Sequence, residues 1–403
     1  MILTLTEGYP FGGEPFLRTE NRYTPDNTIY FAVRPQQVGI VKGFKGTAFA
    51  SKGSRNIIFV LLKGLIGLFF VRGIWEELKY MQSRGKLNCL SFGYSIYFLG
   101  NSLFFYEDLL KIISREHIDI NKMTVYSYWM HEQAMIGALL KRKYPGITFV
   151  TRCHGFDAYE FRPKAKYIPF RTIIFDEVDT IYCVSAKLKD YLETTYKNMV
   201  CGKVVISYLG TIDHGLAPFK NGKFRVISCS SIIAIKRVGL IIEALSLLDD
   251  SIQVEWVHIG DGPLREALET KAKTELKENV SWCFMGEMDN ESIMKLYAQS
   301  GADSFITLSE TEGLPVSIQE AISFGIPVIA TDVGGISEIV SSENGILLNS
   351  AGRPTDAAEA ILQMMNNSNE EIKSLRDGAR STWERAYNAD INYKKFFNLI
   401  SNK

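Results

Sequence analysis

Residues 303–331 read Asp303-Ser-Phe-Ile-Thr-Leu-Ser-Glu-Thr-Glu-Gly-Leu-Pro-Val-Ser-Ile-Gln-Glu-Ala-Ile-Ser-Phe-Gly-Ile-Pro-Val-Ile-Ala-Thr331. Two short apolar runs, 303–307 and 328–331, flank a helix-like segment, and this alternation is the sequence form of a parallel β-α-β unit. Pro315 fits the first helical position, where its missing N–H is no loss, and Gly325 falls where a left-handed C-terminal cap is expected, followed by Pro327. A helix over 315–324 follows. Leu314, Ile318, Ala321 and Ile322 form one buried stripe on it. At about 100° per residue, Glu320 lies almost opposite that stripe, turned away from its own domain's core. Glu312 precedes the first turn, beside the N–H groups of Gly313, Leu314 and Val316. Such a helix start attracts phosphate, and a carboxylate one or two turns along can accept hydrogen bonds from sugar or ribose hydroxyls. A glutamate opposite an apolar stripe is ordinarily just solvated. Context decides between the two readings.

The same alternation runs through the chain. Strand-like runs at 2–5, 28–33, 124–127, 147–151, 180–184 and 204–207 precede an irregular segment at 211–222 holding Gly215 and Pro218. Further runs at 225–228, 253–259, 280–284, 303–307, 328–331 and 346–348 follow it. At 403 residues the chain is too long for one core. The expected fold class is α/β, with two Rossmann-like, doubly wound parallel-sheet domains facing a cleft: residues 1–210, a linker at 211–222, residues 223–385, and a terminal helix over 386–403. Open parallel sheets bind ligands beyond the carboxyl ends of their strands. Most of the polar motifs fall there.

Composition narrows the function. Lys plus Arg equals Asp plus Glu at 45 each, so no global charge favours nucleic acid as a partner. The six cysteines are scattered without a Cys-x-x-Cys pair or zinc spacing, which reads as reduced thiols in a cytoplasmic protein. The start of the chain lacks the basic flank and apolar core of a secretion signal. No Asp-x-Asp motif offers a carboxylate pair for a nucleotide-bound metal, so no metal is expected. Gly260-Asp-Gly262 follows a strand, but Arg265 stands where a third glycine would complete a dinucleotide fingerprint. Gly12 and Gly13 follow the first strand and suit a tight loop that brings backbone N–H groups near a phosphate or an acceptor. The apolar stretch 57–71 is interrupted by Lys63, Gly64 and Gly67 and flanked by Lys52, Arg55 and Arg72. A span needs ~20 apolar residues, so two readings stay open: burial against the first domain, or peripheral membrane contact through 57–72.

The run from Ser309 to Gly335, with Glu338 beyond, resembles the signature of retaining GT-B glycosyltransferases of family 4. The similarity continues in His258-Ile-Gly-Asp-Gly-Pro263, Met285-Gly286, Lys236-Arg237, Arg152-Cys-His-Gly-Phe-Asp157 and the opening Tyr9-Pro-Phe-Gly-Gly-Glu-Pro-Phe16. The resemblance implies a terminal helix that crosses back to the first domain, and a hexose moved from a UDP- or GDP-linked donor to a glycan or polyprenyl-linked acceptor in bacterial surface-polysaccharide assembly, without a further cofactor. It implies that His154 approaches the transferred sugar, with Asp157 beside it as a substrate contact or only as a cap of the following turn. Glu312 orients the ring, Glu320 grips the ribose, and Lys236 meets the diphosphate. In the family an arginine usually stands five residues before this lysine; here that position is Ser231, which leaves Lys236 as the main cation and Arg237 as its compensation. Gly260, Gly262, Gly286, Gly313, Leu314 and Val316 join the donor site by the same match. Two alternatives remain: an epimerase of the same architecture, which generally lacks the full Glu-Gly-Leu-Pro run, and a catalytically silent sugar-binding subunit.

Overall fold

The computed structural model describes residues 1–401 apart from 15, 54, 220 and 221, so one position of the opening motif, two of the 211–222 segment and the last two of 386–403 lie outside the described residues. The chain divides into two compact units, Met1–Ser207 together with the segment from Tyr393 onward, and Tyr208–Asn392.

In the first unit the chain runs β1 (Ile2–Thr6), α1 (Leu17–Asn21), β2 (Ile29–Ala32), β3 (Thr47–Ala50), α2 (Ile57–Phe70), α3 (Ile74–Ser83), α4 (Cys89–Arg115), β4 (Thr124–Ser127), α5 (Glu132–Lys143), β5 (Thr148–Cys153), α6 (Gly155–Ala158), α7 (Arg171–Glu177), β6 (Thr180–Cys183), α8 (Ala186–Tyr196) and β7 (Val204–Ile206). The second runs β8 (Phe224–Cys229), α9 (Val238–Ser246), β9 (Val254–Ile259), α10 (Arg265–Glu275), β10 (Val280–Phe284), α11 (Asn290–Ser300), β11 (Ser304–Thr307), α12 (Val316–Ser323), β12 (Val328–Thr331), β13 (Gly345–Leu348), α13 (Pro354–Met365) and α14 (Asn369–Ala386). Helix α15 (Ala389–Ser401) begins in the second unit and continues into the first.

The first sheet has the order β3-β2-β1-β4-β5-β6-β7 and the second β10-β9-β8-β11-β12-β13. Neighbouring strands are parallel throughout. Strands β1, β2 and β4 are buried at every position, the hydroxyl residues Thr4, Thr6, Thr124 and Ser127 included, as expected of parallel strands covered on both faces. Each sheet winds outward from its first strand and then returns to that strand's other side. The reversal points lie between β1 and β4 and between β8 and β11, and loops leaving such adjacent strands diverge to form a crevice. Trp256 fills the second unit's core against residues such as Val226, Ile306 and Ile329.

Two local expectations change. Pro315 is the N-cap of α12 in an extended conformation (φ −68°, ψ 123°), and the helix starts one residue later at Val316. Proline restricts the residue before it and lacks a donor, so it serves as well just outside the helix as inside it. Strand β3 was not expected, because its four residues are half-exposed or exposed and hold one large apolar side chain, Phe49. An edge strand needs only one covered side. Segment 208–219 is tied into the second unit: Trp383 Nε1 donates to Thr211 Oγ1 at 2.7 Å, and Ala217 N to the Phe324 carbonyl at 2.9 Å.

One buried ion pair anchors the end of the chain in the first unit. Arg152 on β5 is fully buried and meets Glu20 Oε2 at 2.5 Å, while Tyr126 donates its hydroxyl to Glu20 Oε1 at 3.0 Å. The guanidinium also lies 4.1 Å from the ring centroid of Phe396 on α15. Burial pushes the Glu20 carboxyl up, against the pull of Arg152. Removing one partner leaves an uncompensated buried charge, so Glu20→Gln is expected to cost about 3–5 kcal/mol of stability. Glu20→Leu combined with Arg152→Met should recover most of it. Urea unfolding of the three proteins checks this, and a cost below ~1 kcal/mol for Glu20→Gln would contradict the reading.

Candidate functional site

In the second unit the reversal point brings two loops together. After β8 the chain makes a tight turn at Ala234–Lys236, and Glu310 N, in the loop after β11, donates to the Ile235 carbonyl at 2.8 Å. This contact sets Lys236 against Glu312. The Lys236 Nζ to Glu312 Oε1 distance is 2.5 Å, and the Glu312 residue is only 8% exposed. The loop after β12 closes over the same segment. Gly335 N donates to the Gly313 carbonyl at 2.7 Å, and Gly334 (φ 56°) leaves no room for a side chain, since a Cβ there would run into the Glu312 carbonyl.

Helix α12 starts at this junction. No side chain caps it, so the backbone N–H groups of its first turn have no local side-chain acceptor. Glu320, one turn along, is half-buried and accepts a hydrogen bond from Asn290 Nδ2 at 2.6 Å. Burial pushes its carboxyl up to about 7, only partly offset by that bond. Cys229 at the end of β8 is close enough to feel both Glu320 and Lys236; burial pushes its thiol up to about 12, which keeps it a thiol.

Gly260, Gly262 and Gly286 pack the neighbouring loops tightly. Gly260 N donates to the Gly286 carbonyl at 2.9 Å, and a Cβ at Gly260 or Gly262 would collide with the backbone of Ser230 or Ile232. Behind them, His258 bridges Ser228 Oγ (2.8 Å) and the Ser230 carbonyl (3.2 Å), and Trp256 Nε1 donates to Ser228 Oγ at 3.0 Å. With Nε2 protonated and Nδ1 accepting, every one of these groups is satisfied. Burial pushes His258 down to about 4, so this neutral ring holds the loop after β8 in place.

In the first unit the loops after β1 and β4 also meet. Glu14 Oε2 accepts from Gly8 N (2.7 Å) and Tyr9 N (2.9 Å), and Oε1 accepts from Trp129 Nε1 at 2.5 Å. Gly12 (φ 89°) and Gly13 (φ 65°) turn the loop back against the Gln36 side chain. His154 follows β5, its ring 4.8 Å from that of Tyr128 and 4.5 Å from that of Trp129. Both its ring nitrogens are shielded from solvent and make no hydrogen bond, with Nδ1 lying 3.8 Å from Asp157 Oδ2. Buried polar atoms are rarely left so, which makes this imidazole a candidate to meet a ligand.

Two expected site residues serve the scaffold instead. Asp157 is fully buried, with Oδ1 accepting from His154 N and Oδ2 from Met130 N, each at 2.6 Å. It fixes the backbone at His154 and has no face left for a substrate. Arg237 sits in the left-handed region (φ 47°) and spreads its guanidinium over the carbonyls of Leu308 (2.6 Å), Ser309 (2.9 Å), Ala351 (2.9 Å) and Ser350 (3.3 Å). Those carbonyls use its donors, so it does not replace the arginine absent at exposed Ser231. Asn290 and Cys229 were not singled out from the sequence. Neither stands at a spacing that marks it, and each enters through tertiary contact with Glu320.

The Glu320 environment has a pH signature. A carboxyl raised from 4.5 to about 7 by folding contributes stability that is complete below its unfolded value and lost as pH rises through about 7. Wild-type protein should therefore gain thermal stability relative to Glu320→Gln on going from alkaline to mildly acidic buffer. Parallel melting curves for the two would contradict the raised value.

Residues 213–382 match the family model for Glycosyl transferases group 1. The uncharacterised glycosyltransferase MJ1178 of Methanocaldococcus jannaschii is 28% identical over 283 residues, covering 68% of this chain and 74% of that protein. The amylovoran biosynthesis glycosyltransferase AmsK of Erwinia amylovora is 27% identical over 184 residues, 44% of each chain. Anabaena Alr3699/HepE, solved with UDP and glucose, superposes with a TM-score of 0.68 at 14% identity, covering 100% of this chain and 99% of its own. Together these findings show that residues 213–382 are similar to Glycosyl transferases group 1 and that the chain has the two-domain GT-B fold.

Proposed function

We propose that this chain is a retaining hexosyltransferase of family 4 that uses a UDP- or GDP-sugar donor and a glycan or polyprenyl-linked acceptor in bacterial surface-polysaccharide assembly at the cytoplasmic face of a membrane. The observation that carries the reading is the Lys236–Glu312 pair at the uncapped start of α12, with Glu320 one turn along. A diphosphate leaving group gains negative charge as its bond to the anomeric carbon breaks, so a fixed cation and converging N–H groups stabilise the transition state more than the bound donor. Lys236 and the amides of Gly313, Leu314 and Val316 supply that charge in this proposal. Among the described residues no group of three or more His, Cys, Asp or Glu could hold a metal ion, and the proposal assigns none.

The step is a same-face substitution. The anomeric C–O bond breaks with its electron pair going to the diphosphate, the acceptor oxygen bonds to the same face, and its proton passes to a departing phosphate oxygen. Glu312 orients the sugar ring and steadies positive character at the reacting carbon. His154, held by Asp157 and flanked by Trp129, is assigned to the transferred sugar by the family resemblance. Glu320 accepts the ribose hydroxyls in its ionised form.

A silent sugar-binding subunit is favoured by one observation: Ser231 offers no charge and Arg237 is committed to carbonyls, so a single lysine faces the diphosphate. Incubation with UDP- and GDP-sugars separates the readings. Transfer or donor hydrolysis supports the transferase, interconversion of sugars an epimerase, and binding without turnover the silent subunit. Glu312→Ala and Lys236→Ala should each lower turnover at least about tenfold with the fold retained, and near-normal rates would remove that residue from the mechanism.

A further inference from the structure

Helix α2 carries a continuous apolar face with nothing in its own unit to cover it. Phe59, Leu62, Ile66, Phe69 and Phe70 all point to solvent, the last two at 84% and 83% exposure, and Trp75 on α3 continues the face at 72%. Singly exposed apolar residues are ordinary, whereas a patch of this continuity marks an interaction surface. The face is held rigidly. Val60, Gly64 and Gly67 bury the opposite side of α2 against α4, so closely that a Cβ at Gly64 would strike the Ile96 carbonyl and one at Gly100 the Val60 carbonyl.

The charge around the face is one-sided. Residues 41–90 hold nine Lys and Arg but only two acids, Glu76 and Glu77, in a chain whose totals balance. Glu77 is buried and accepts hydrogen bonds from Tyr167, Phe170 N and Thr172. Glu76 is thus the one acid of this segment on the surface, against exposed Lys52, Arg72 and Lys79. The neighbouring acids Glu107 and Asp108 on α4 are already paired, with Lys63 and with Arg55 at 2.6 Å.

We propose that the first unit docks through α2 onto the anionic surface of a lipid bilayer, with α2 in the plane of the interface. At 14 residues the helix is about 21 Å long, short of a bilayer core of ~30 Å. The chain then bends by 101° into α3, and one side of α2 is already taken by α4. Only one face is left for lipid. Phe69, Phe70 and Trp75 enter the headgroup region while Arg72 and Lys79 meet lipid phosphates. A second copy of the chain is a poorer occupant, because a two-fold contact would set this basic segment against itself.

Flotation with vesicles of phosphatidylcholine alone, or with roughly a third phosphatidylglycerol, reads binding without sugar transfer, so it stands apart from the assignment of the active site. Wild-type protein should float with the anionic vesicles and weakly with the zwitterionic ones. Phe69→Glu with Phe70→Glu should reduce the bound fraction at least about tenfold without shifting the melting transition, since both rings lie outside the core. Arg72→Glu with Lys79→Glu, which alters no buried side chain, should weaken binding to anionic vesicles and give a second reading should the first variant misfold. Absence of wild-type flotation with anionic vesicles would overturn the proposal, as would unchanged binding by the charge variant. Light scattering that gives a dimer for wild type and a monomer for the phenylalanine variant would instead make the face a self-interface.

Discussion

A cation and a carboxylate at 2.5 Å across the reversal point of the second sheet are the contact on which the candidate site depends. Neither loop could hold that geometry alone. The loop after β8 is fixed from behind by the neutral His258 relay, and the loop after β11 is pressed from above by the Gly334–Gly335 turn. Arg237 ties the two together through the Leu308 and Ser309 carbonyls, and holds the turn after β13 through those of Ser350 and Ala351. Preorganised charge is worth having only if it does not relax when the ligand departs, and these braces supply that rigidity.

The first unit repeats the arrangement with different chemistry. Its reversal point lies between β1 and β4, and there Glu14 and Trp129 join the two loops while His154 stands beside Trp129. The carboxylate at this junction is spent on backbone amides, so it shapes the loop rather than offering a charge. What remains open is an imidazole with two unpartnered nitrogens. The outer helices of the same unit carry the exposed aromatic and basic residues around α2. The basic flanks of that segment were legible in the sequence despite the neutral total charge.

Most of the fold could be read from the chain because its parallel strands are short runs rich in apolar and β-branched residues between helical segments. Val280–Phe284 and Val328–Thr331 fall at the expected residues, and most other strands differ by a residue or two at an end. Strand β3 escaped because it is half-exposed or exposed and holds one large apolar side chain, Phe49. The pairing of Lys236 with Glu312 was half legible: each was a candidate, but 76 residues separate them and only the sheet order joins them. Helical phase put Glu320 away from its own core. Phase alone did not show that the surrounding packing would half-bury it and lift its carboxyl to about 7 against the hydrogen bond from Asn290. Arg237 and Asp157 show the converse limit. A charged residue beside a functional one looks the same in sequence whether it meets the ligand or the backbone, and the difference lies in which acceptors or donors the fold brings within 3 Å.

The most direct measurement is a crystal structure with UDP or GDP bound. The account predicts the diphosphate at the first turn of α12, within hydrogen-bonding distance of Lys236 Nζ and the amides of Gly313, Leu314 and Val316, with the ribose hydroxyls on Glu320. A nucleotide bound elsewhere, with Lys236 and Glu312 still paired only to each other, would contradict it.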